Sequence, residues 1–525
     1  MTLRAGLAKV DVTVFEPGMA MLGWGRPDHV PERVAHPLHA RALVIEEGGR
    51  ALAHVVVDLC FVSTSLRVGV LAELARRGVP IAPSDVMLTA THTHAGPNGY
   101  SHAFFYDLGS LGFSRLVYET LVDGISDAIA EAHARLEPAR LRLGAASVDG
   151  DVARNRSLDA HRQNRDALAD GVDRELLALR VDDRAGRGLG VLSLFALHAT
   201  SIHGDVRALH PDHKGLAAEA FEGWARGAGH APHFVALFGQ GAAGDVSPNV
   251  RFDASRGVMV GARGDDEASA RHVADAQVDA TRRAFEGASL ELTGPIDAAA
   301  RHVDFEERFV PPSFAGGVPA RTTRARLGLA MAAGTAEGPG PLGRSPLPRR
   351  WGARDPKITL LEVGPDVRRR LLGVDPRRAP IPHAAFEHAR RAGGLDRAWI
   401  PTVLPVQVMR LGRFALAALP NEPTTTVGHR LRARLEPLLG VDRLHVQGYA
   451  NAYAGYLTTP EEYARQRYEG AYTLFGPHTL GAFEHALGEL GDELCGEPRA
   501  VSGPPLLTCT EAELASRAFS DPGPA

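Results

Sequence analysis

The stretch Ser84–His94, SDVMLTATHTH, alternates apolar and polar residues and ends in two histidines. Alternate side chains of a strand share one face, so the apolar face that begins at Val86 is predicted to end in His92 and His94. The next five residues, AGPNG, carry turn chemistry that stops the strand. We therefore predict two imidazoles at an open sheet edge, where they could bind a metal. Surface or hydrogen-bonded histidines are the alternative interpretation of an isolated His-x-His.

The size and composition of the chain exclude several classes of protein. It has 525 residues, enough for one large catalytic body, and its 58 Lys plus Arg against 62 Asp plus Glu give no field that would recruit nucleic acid. Only three cysteines occur, so a metal would have to bind His, carboxylate or Tyr side chains. No stretch approaches the roughly 18 apolar residues of a membrane span, and the N-terminus lacks a secretory pattern. We expect a cytoplasmic protein with a small neutral or amphiphilic partner, and the sequence predicts no oligomeric state.

Apolar alternating runs recur among helical segments, which indicates an α/β fold of mixed sheets with flanking helices. Strands are predicted at 51–59, 86–94, 176–181, 191–198, 233–238, 403–410, 414–419 and 444–447. Helices are predicted at 66–77, 116–135, 424–439 and from a capping box at Thr459 onward, with Pro460 in the first helical position. We expect one catalytic domain at 1–485 that contains a Pro/Gly/Arg-rich loop at 334–350, followed by a tail at 486–525.

Two more predicted strands are followed by residue types that bind metals. His198 ends the run VLSLFALH, and Glu422 follows the strand at 414–419 directly ahead of a helix. Because ligands of open α/β sheets gather beyond the carboxyl ends of strands, two strands that end in His favour a metal site more than one does. By spacing alone, Glu422 fits a helix-start charge better than a ligand. The tyrosines of Tyr449–Tyr456 are expected to pack as aromatic side chains. Three further histidines are expected to lie in a polar loop: His203, His210 and His213.

The stretch Phe238–Asn249, FGQGAAGDVSPN, contains the spacing G-x-G-x-x-G after an apolar strand. A dinucleotide-binding loop needs a helix that opens at its third glycine, whereas a proline and turn formers follow Gly244 here. We therefore predict a tight loop that presents Asp245 and Ser247. A nucleotide-dependent oxidoreductase is only a weak alternative.

Several segments together resemble the neutral/alkaline, non-lysosomal ceramidase family. They are THTHAGPNGY at Thr91, NRS at Asn155, FALHATS at Phe195, GDVSPN at Gly244, AGTAEGPG at Ala333, PNEPTT at Pro420 and YANAYAGYLTTPEEYARQRYEGAYTLFGPHTL at Tyr449. The resemblance runs in order from about Gly6 to His485. It implies a zinc-dependent amidohydrolase that cleaves ceramide to a sphingoid base and a fatty acid by means of metal-activated water.

The resemblance also implies roles for individual residues. One zinc ion per chain would be held by two imidazoles, a carboxylate and a phenol: His92, His198, Glu422 and Tyr456. Tyr453 is the alternative to Tyr456. The residues that match substrate-contacting and catalytic positions of the family are His94, Arg156 and Ser247. His94 is the better donor of a proton to the departing amine, because imidazole titrates near neutral pH. We favour Ser247 as an anchor for substrate rather than a nucleophile, since no activating base is evident beside it.

Two departures from the family pattern leave alternatives open. A Pro-Thr-Ser-Met-Asn-like run of the family is replaced by Ala199–His203, so we expect a different pocket wall. Family members also carry a signal sequence and a C-terminal immunoglobulin-like domain, neither of which we expect in this chain. The alternatives are a hydrolase of another N-acyl lipid or amide on the same zinc site, or a non-catalytic lipid-binding relative with an incomplete metal shell.

Overall fold

The computed structural model describes residues 3–107, 109–110, 112–340, 359–362, 398–494 and 501–519. Two large β-sheets stack face to face, and helices cover their outer faces, which confirms the predicted α/β fold. Within these ranges, no helix combines the length and the apolar composition that crossing a membrane requires. The predicted loop at 334–350 lies outside the described residues from position 341 onward.

The larger sheet has nine strands. In chain order they are β1 (Arg4–Asp11), β2 (His39–Glu47), β3 (Arg50–Val57), β4 (Val86–Ala90), β5 (Glu137–Ser147), β6 (Glu175–Asp183), β7 (Gly188–Leu194), β8 (Val235–Gly239) and β9 (Leu290–Glu291). Their order across the sheet is β8-β7-β6-β5-β1-β2-β3-β4, and β9 pairs with β5. The pairs β3–β4 and β7–β8 are parallel, and the other pairs are antiparallel.

The second sheet has four strands in sequential order. They are β10 (Ile296–Asp304), β11 (Val403–Leu411), β12 (Phe414–Ala418) and β13 (Arg443–Gln447). β11 is antiparallel to both of its neighbours, β10 and β12, whereas β12 and β13 are parallel. The predicted strands at 403–410, 414–419 and 444–447 thus form one sheet.

Eight helices are used in the description below. They are α1 (Thr64–Arg76), α2 (Arg115–Ala134), α3 (Asp212–Gly227), α4 (Asp266–Glu286), α5 (Thr425–Leu439), α6 (Pro460–Arg465), α7 (Tyr468–Tyr472) and α8 (Thr479–Leu490). The capping box predicted at Thr459 is present, with Pro460 in the first turn of α6. Helix α5 ends at Gly440, whose φ of 60° lies in the left-handed region that glycine adopts without strain.

Alternation along the strands decides which side chains fill each layer. In β4, Val86 and Leu88 pack with the core that contains α1 and α2, whereas Met87 packs into the layer between the sheets. The second sheet contributes Leu416 and Phe414 to that same layer. Each buried Leu, Met or Phe side chain stabilises the fold by about 1.5–3 kcal/mol, so the two sheets are held rigidly against each other.

Three strand–helix–strand units position the functional site. They are β3-α1-β4, β7-α3-β8 and β12-α5-β13, and each joins two parallel strands. Parallel strands place their carboxyl ends at the same edge of a sheet, where the chain leaves the ladder and side chains are free to converge. His92, His198 and Glu422 follow the carboxyl ends of β4, β7 and β12, respectively.

The predicted lengths of two strands are wrong. β4 ends at Ala90 and β7 at Leu194, so neither His92 nor His198 lies within its strand. His92 has a φ of 68°, in the left-handed region, which turns the chain away from the ladder. The two histidines of THTH are therefore placed by a loop after the strand and not by strand alternation.

The described residues beyond 485 lie against the rest of the fold. Helix α8 continues to Leu490, and the backbone of Phe113 donates to Arg517 O at 2.8 Å. Thr510 caps the last short helix, Glu511–Ser516, with a capping box. Where the catalytic domain ends remains a prediction.

Candidate metal centre

Two imidazoles are fixed by their inner nitrogens. Nδ1 of His92 donates to Cys60 O at 2.6 Å, and Nδ1 of His198 donates to Ala243 O at 2.7 Å. A ring nitrogen that donates to a carbonyl carries the proton, so Nε2 of each neutral ring keeps a lone pair. Both Nε2 atoms face Glu422 Oε2, at 3.4 Å for His92 and 3.0 Å for His198. This is the arrangement by which backbone carbonyls orient histidine ligands of metals.

The charges of these groups suit a metal. Burial alone would raise the pKa of Glu422, but His92, His198 and the hydroxyl of Tyr453 outweigh burial and hold this pKa far below its ordinary value. Burial lowers the pKa of His92 to about 4, against the attraction of the Glu422 carboxylate. At neutral pH the carboxylate is therefore ionised and the His92 ring is neutral. Metal ligands need these protonation states.

Three tyrosine hydroxyls border the same point. Tyr456 Oη lies 3.3 Å from His198 Nε2, Tyr449 donates to Glu422 Oε2 at 3.2 Å, and Tyr453 donates to Glu422 Oε1. The predicted ligand Tyr456 and its alternative Tyr453 are thus both at the cluster. Tyr449 was expected only to pack, yet it also contacts the carboxylate. Glu422 itself is a buried acceptor here, and the helix-start interpretation of this residue does not describe its contacts.

Arg156 is enclosed between Tyr456 and two carboxylates. Its Nη2 donates to Tyr456 Oη at 2.8 Å, its Nε to Glu469 Oε1 at 2.9 Å and its Nη1 to Glu337 Oε1 at 3.1 Å. Burial would lower the pKa of Arg156, but Tyr456, Glu469 and Glu337 raise it well above its ordinary value. The guanidinium therefore stays charged next to the phenol. Sequence reasoning missed Glu337 and Glu469, although both lie within segments that carry the family resemblance.

His94 lies at the outer side of the cluster. Its Nε2 is 3.1 Å from His92 Nε2, and its ring packs edge-on against Trp24 with centroids 5.1 Å apart. Burial, followed by the neighbouring imidazoles of His92 and His198, lowers the pKa of His94 well below 6.5. The ring is therefore neutral at neutral pH, which differs from the expectation that it titrates there.

Ser247 and Asp245 follow the glycine-rich loop, but they are not presented at a surface. Ser247 lies in the short strand Val246–Ser247, which pairs with Arg154–Asn155, and its hydroxyl accepts a hydrogen bond from Asn249 N at 3.1 Å. Asp245 is 2% exposed and accepts hydrogen bonds from Thr425 N and from the Asn155 amide. The prediction of a loop that presents both residues is wrong for Asp245, because its buried carboxylate accepts hydrogen bonds from within the protein.

The three histidines expected in a polar loop are buried, so that expectation is wrong. His213 lies in the first turn of α3 and its Nε2 donates to His198 O at 2.8 Å. His210 Nε2 donates to Glu267 Oε2 at 2.7 Å, and His203 stacks on Trp24. Helices α3 and α4, which sequence reasoning did not find, draw this segment inward.

Two buried imidazoles, a carboxylate and a phenol at the ends of neighbouring strands offer nitrogen and oxygen atoms that could hold a metal ion, as hydrolases that use a metal do. The family model for the neutral/alkaline non-lysosomal ceramidases, N-terminal part, matches residues 3–485. The chain therefore belongs to this family of enzymes, as its motifs predicted.

Individual relatives cover almost the whole chain. Neutral ceramidase of Pseudomonas aeruginosa is 33% identical over 99% of this chain and 76% of that protein, and neutral ceramidase of Mycobacterium tuberculosis is 32% identical over 94% and 77%. Among solved structures, a ceramidase complexed with C2 has a TM-score of 0.80 at 33% identity, covering 94% of this chain and 75% of that chain. Neutral ceramidase from P. aeruginosa has a TM-score of 0.79 at 31% identity, covering 96% and 77%.

Proposed function

We propose that this enzyme hydrolyses the amide bond of ceramide to a sphingoid base and a fatty acid, with one zinc ion held by His92, His198, Glu422 and Tyr456. The observation that carries the proposal is the convergence of two Nε2 lone pairs on one carboxylate oxygen, within 3.4 Å. Nitrogen and oxygen donors of this kind suit zinc. When bound with an open coordination position, zinc lowers the pKa of water to about 7 and polarises a carbonyl group.

Arg156 acts, in this proposal, through Tyr456. Burial raises the pKa of the Tyr456 phenol, and the guanidinium charge beside it opposes that rise. A fixed cation therefore favours the ionised phenol that a metal ligand requires. Because its nitrogens already donate to Tyr456, Glu337, Glu469 and Gly244 O, Arg156 is a positioning residue rather than a substrate contact.

We propose that His94 transfers a proton to the departing amine. Its neutral ring has to accept a proton before it can give one to the departing sphingoid amine. A neutral base of this kind is ready to assist attack at neutral pH. The edge of Trp24 against the ring fixes its orientation.

Ser247 is proposed to anchor the substrate. Ser247 pairs directly with Arg154 in a two-stranded ladder, two residues before Arg156 in the chain. Ser247→Ala should lower kcat/KM by about 10–100-fold, the cost of about two lost hydrogen bonds. An acyl group trapped on Ser247 in a single turnover would instead make it a nucleophile.

A second candidate is the hydrolysis of another N-acyl lipid or amide on the same centre. The observation that favours it is the run Ala199–His203, which departs from the family and whose His203 stacks on Trp24 beside His94. A panel of ceramides and N-acyl amino acids distinguishes the two substrates by their kcat/KM values.

The proposal is tested on the purified protein. We expect about one zinc per chain and release of fatty acid from labelled ceramide, and we expect His92→Ala to remove both. If the protein retained zinc but hydrolysed no N-acyl lipid, the proposed substrate would be wrong. If the protein still released fatty acid after complete removal of metal, the proposed zinc dependence would be wrong.

A further inference from the structure

The glycine-rich loop after β8 contacts His198, Arg156 and the segment that carries Glu422. At Gly244 the chain turns and enters the short strand Val246–Ser247, so this loop opens no helix and the dinucleotide interpretation of its glycines fails. Its backbone accepts the Nδ1 proton of His198 at Ala243 O and a guanidinium proton of Arg156 at Gly244 O. Gly244 N also donates to Pro423 O at 2.8 Å, next to Glu422.

The glycines of this loop permit close approach of backbones. A Cβ atom on Gly244 would lie 2.5 Å from Glu422 O, and one on Gly241 would lie 3.0 Å from the ring of His445. Any larger residue at Gly244 would therefore push the Glu422 segment away. The G-x-G-x-x-G spacing reflects packing against strand ends, not phosphate binding.

Gln240, between the first two glycines, joins the two histidine loops with its side chain. Its Nε2 donates to Thr91 O at 2.9 Å and to Leu197 O at 2.5 Å, and its Oε1 accepts from Leu197 N at 3.2 Å. Thr91 and Leu197 directly precede His92 and His198. Gln240 is fully buried, so one amide group, with all its bonds inside the protein, spans the two loops.

The backbone of His92 needs such support. A residue other than glycine with a positive φ persists only where its surroundings determine the conformation, and His92 has a φ of 68°. Its own N donates to Leu59 O at 2.9 Å, and the preceding carbonyl, Thr91 O, is the one that Gln240 binds. The Gln240 amide thus fixes one side of the peptide that orients His92.

We propose that Gln240 is a positioning residue that sets the separation of His92 and His198 and thereby the zinc affinity of the centre. This inference rests on the proposed function, because it takes zinc as the ion. Residues that orient metal ligands typically contribute about 10–100-fold to metal affinity. Loss of the Gln240 amide should therefore weaken zinc binding by about this factor.

The test compares Gln240→Met with Gln407→Met in the full chain. Gln407 is a control for the loss of a buried amide outside the two histidine loops: it is also fully buried, its Nε2 donates to two backbone carbonyls, Ser84 O and Val86 O, and its Oε1 accepts from Asn451. Those carbonyls lie at the opposite end of β4 from His92. Zinc dissociation constants are measured by chelator competition, and the melting temperature of the metal-free protein reports the structural cost of each substitution. The visible spectrum of the cobalt-substituted protein reports ligand geometry.

We expect both variants to melt lower as metal-free proteins, and only Gln240→Met to bind zinc about 10–100-fold more weakly and to alter the cobalt spectrum. Equal zinc affinity of Gln240→Met and wild type would overturn the inference alone, as would equal weakening in Gln407→Met. Wild-type protein that binds no zinc would overturn the proposed function as well. If Gln240→Met does not fold, Gln240→Asn keeps the amide but is one methylene too short to hold both loops, and the same outcomes apply.

Discussion

Two buried clusters of this protein both combine histidine with carboxylate side chains, yet these side chains make different contacts. One is the candidate metal centre at His92, His198 and Glu422, and the other consists of His161, Asp245 and Glu462. In the first, the Nε2 atoms of both histidines face a carboxylate. In the second, which we call the acid network, the donor atoms are bound within the protein.

The contacts of the acid network explain this difference. Oε1 of Glu462 accepts from Asn164 Nδ2 at 2.8 Å, and its Oε2 accepts from Thr424 Oγ1 at 2.6 Å and from Thr459 N. His161 Nε2 donates a hydrogen bond to Leu168 O, and the Asp245 carboxylate accepts one from Thr425 N. These bonds connect the first turns of α5 and α6 to the short helix Leu158–His161 and the turn after it. The hydrogen bonds of the acid network therefore hold these segments of the fold together.

The two glutamates differ in pKa as well. The facing imidazoles hold the pKa of Glu422 far below its usual range, against burial. Burial, with the nearby Asp245 charge, raises the pKa of Glu462 to about 7. Residue type alone thus does not identify a metal site. The candidate centre differs from the acid network in that two imidazole Nε2 atoms face one carboxylate oxygen, beside the hydroxyls of Tyr449 and Tyr453.

The largest contrast should come from removing one histidine of each cluster. His198→Ala should lose the zinc and lower turnover of ceramide by at least about 10³-fold. His161→Ala should keep about one zinc per chain and lose about 1–3 kcal/mol of stability, because it removes hydrogen bonds to Leu168 O and Thr426. Metal analysis and thermal unfolding of both variants measure this. Loss of zinc from His161→Ala would contradict the assignment of the acid network to a structural role.

Two tyrosines of the candidate metal centre, Tyr456 and Tyr453, are expected to differ in their effect on zinc binding. Tyr456→Phe should weaken zinc binding by about 100-fold or more, as the loss of a ligand, whereas Tyr453→Phe removes only a bond to Glu422 and should cost about 10-fold. Chelator competition gives both values. The reverse order would make Tyr453 the ligand in place of Tyr456.

A smaller effect is expected from the titration of Glu462. Its folded pKa, about 7, lies above the ordinary 4.5, so its contribution to stability is complete below pH 4.5 and is lost as the pH rises through 7. Glu462→Gln cannot titrate, so its free energy of unfolding should change by about 2–3 kcal/mol relative to wild type between these pH values, and become relatively more favourable at pH 7.

The control for this titration is Glu461→Gln on the same helix turn. Burial would raise the pKa of Glu461, but Arg430 lowers it, so its contribution is lost as the pH falls rather than as it rises. Denaturant unfolding from pH 4 to 8 measures both variants. Parallel pH profiles of Glu462→Gln and wild type would contradict the raised pKa of Glu462.

The sequence pointed to residues that converge in the structure, but it did not predict every strand around them. His92 and His198 were visible because each follows an apolar strand, and this pattern needs only local information. Glu422 and Tyr456 came from the family resemblance, since spacing alone favoured a helix-start charge and aromatic packing. Strands β1, β2, β5 and β10 were not predicted, although β5 buries alternate residues at Ala139, Leu141 and Leu143.

Contacts between distant loops could not be predicted in this way. Gln240 binds Thr91 O across 149 residues of chain, and Glu462 meets Asn164 across 298. Nothing in local periodicity specifies such pairs, because they depend on how strand ends are arranged around the sheet edge. The acid network was missed for the same reason.

The most direct measurement is anomalous diffraction at the zinc edge from crystals of the metal-bound protein. We predict a single strong peak in contact with Nε2 of His92, Nε2 of His198 and the Glu422 carboxylate, with nitrogen–zinc distances of about 2.0–2.1 Å. A peak at His161, Asp245 and Glu462, or no peak at the ends of β4, β7 and β12 in protein that hydrolyses ceramide, would contradict the account.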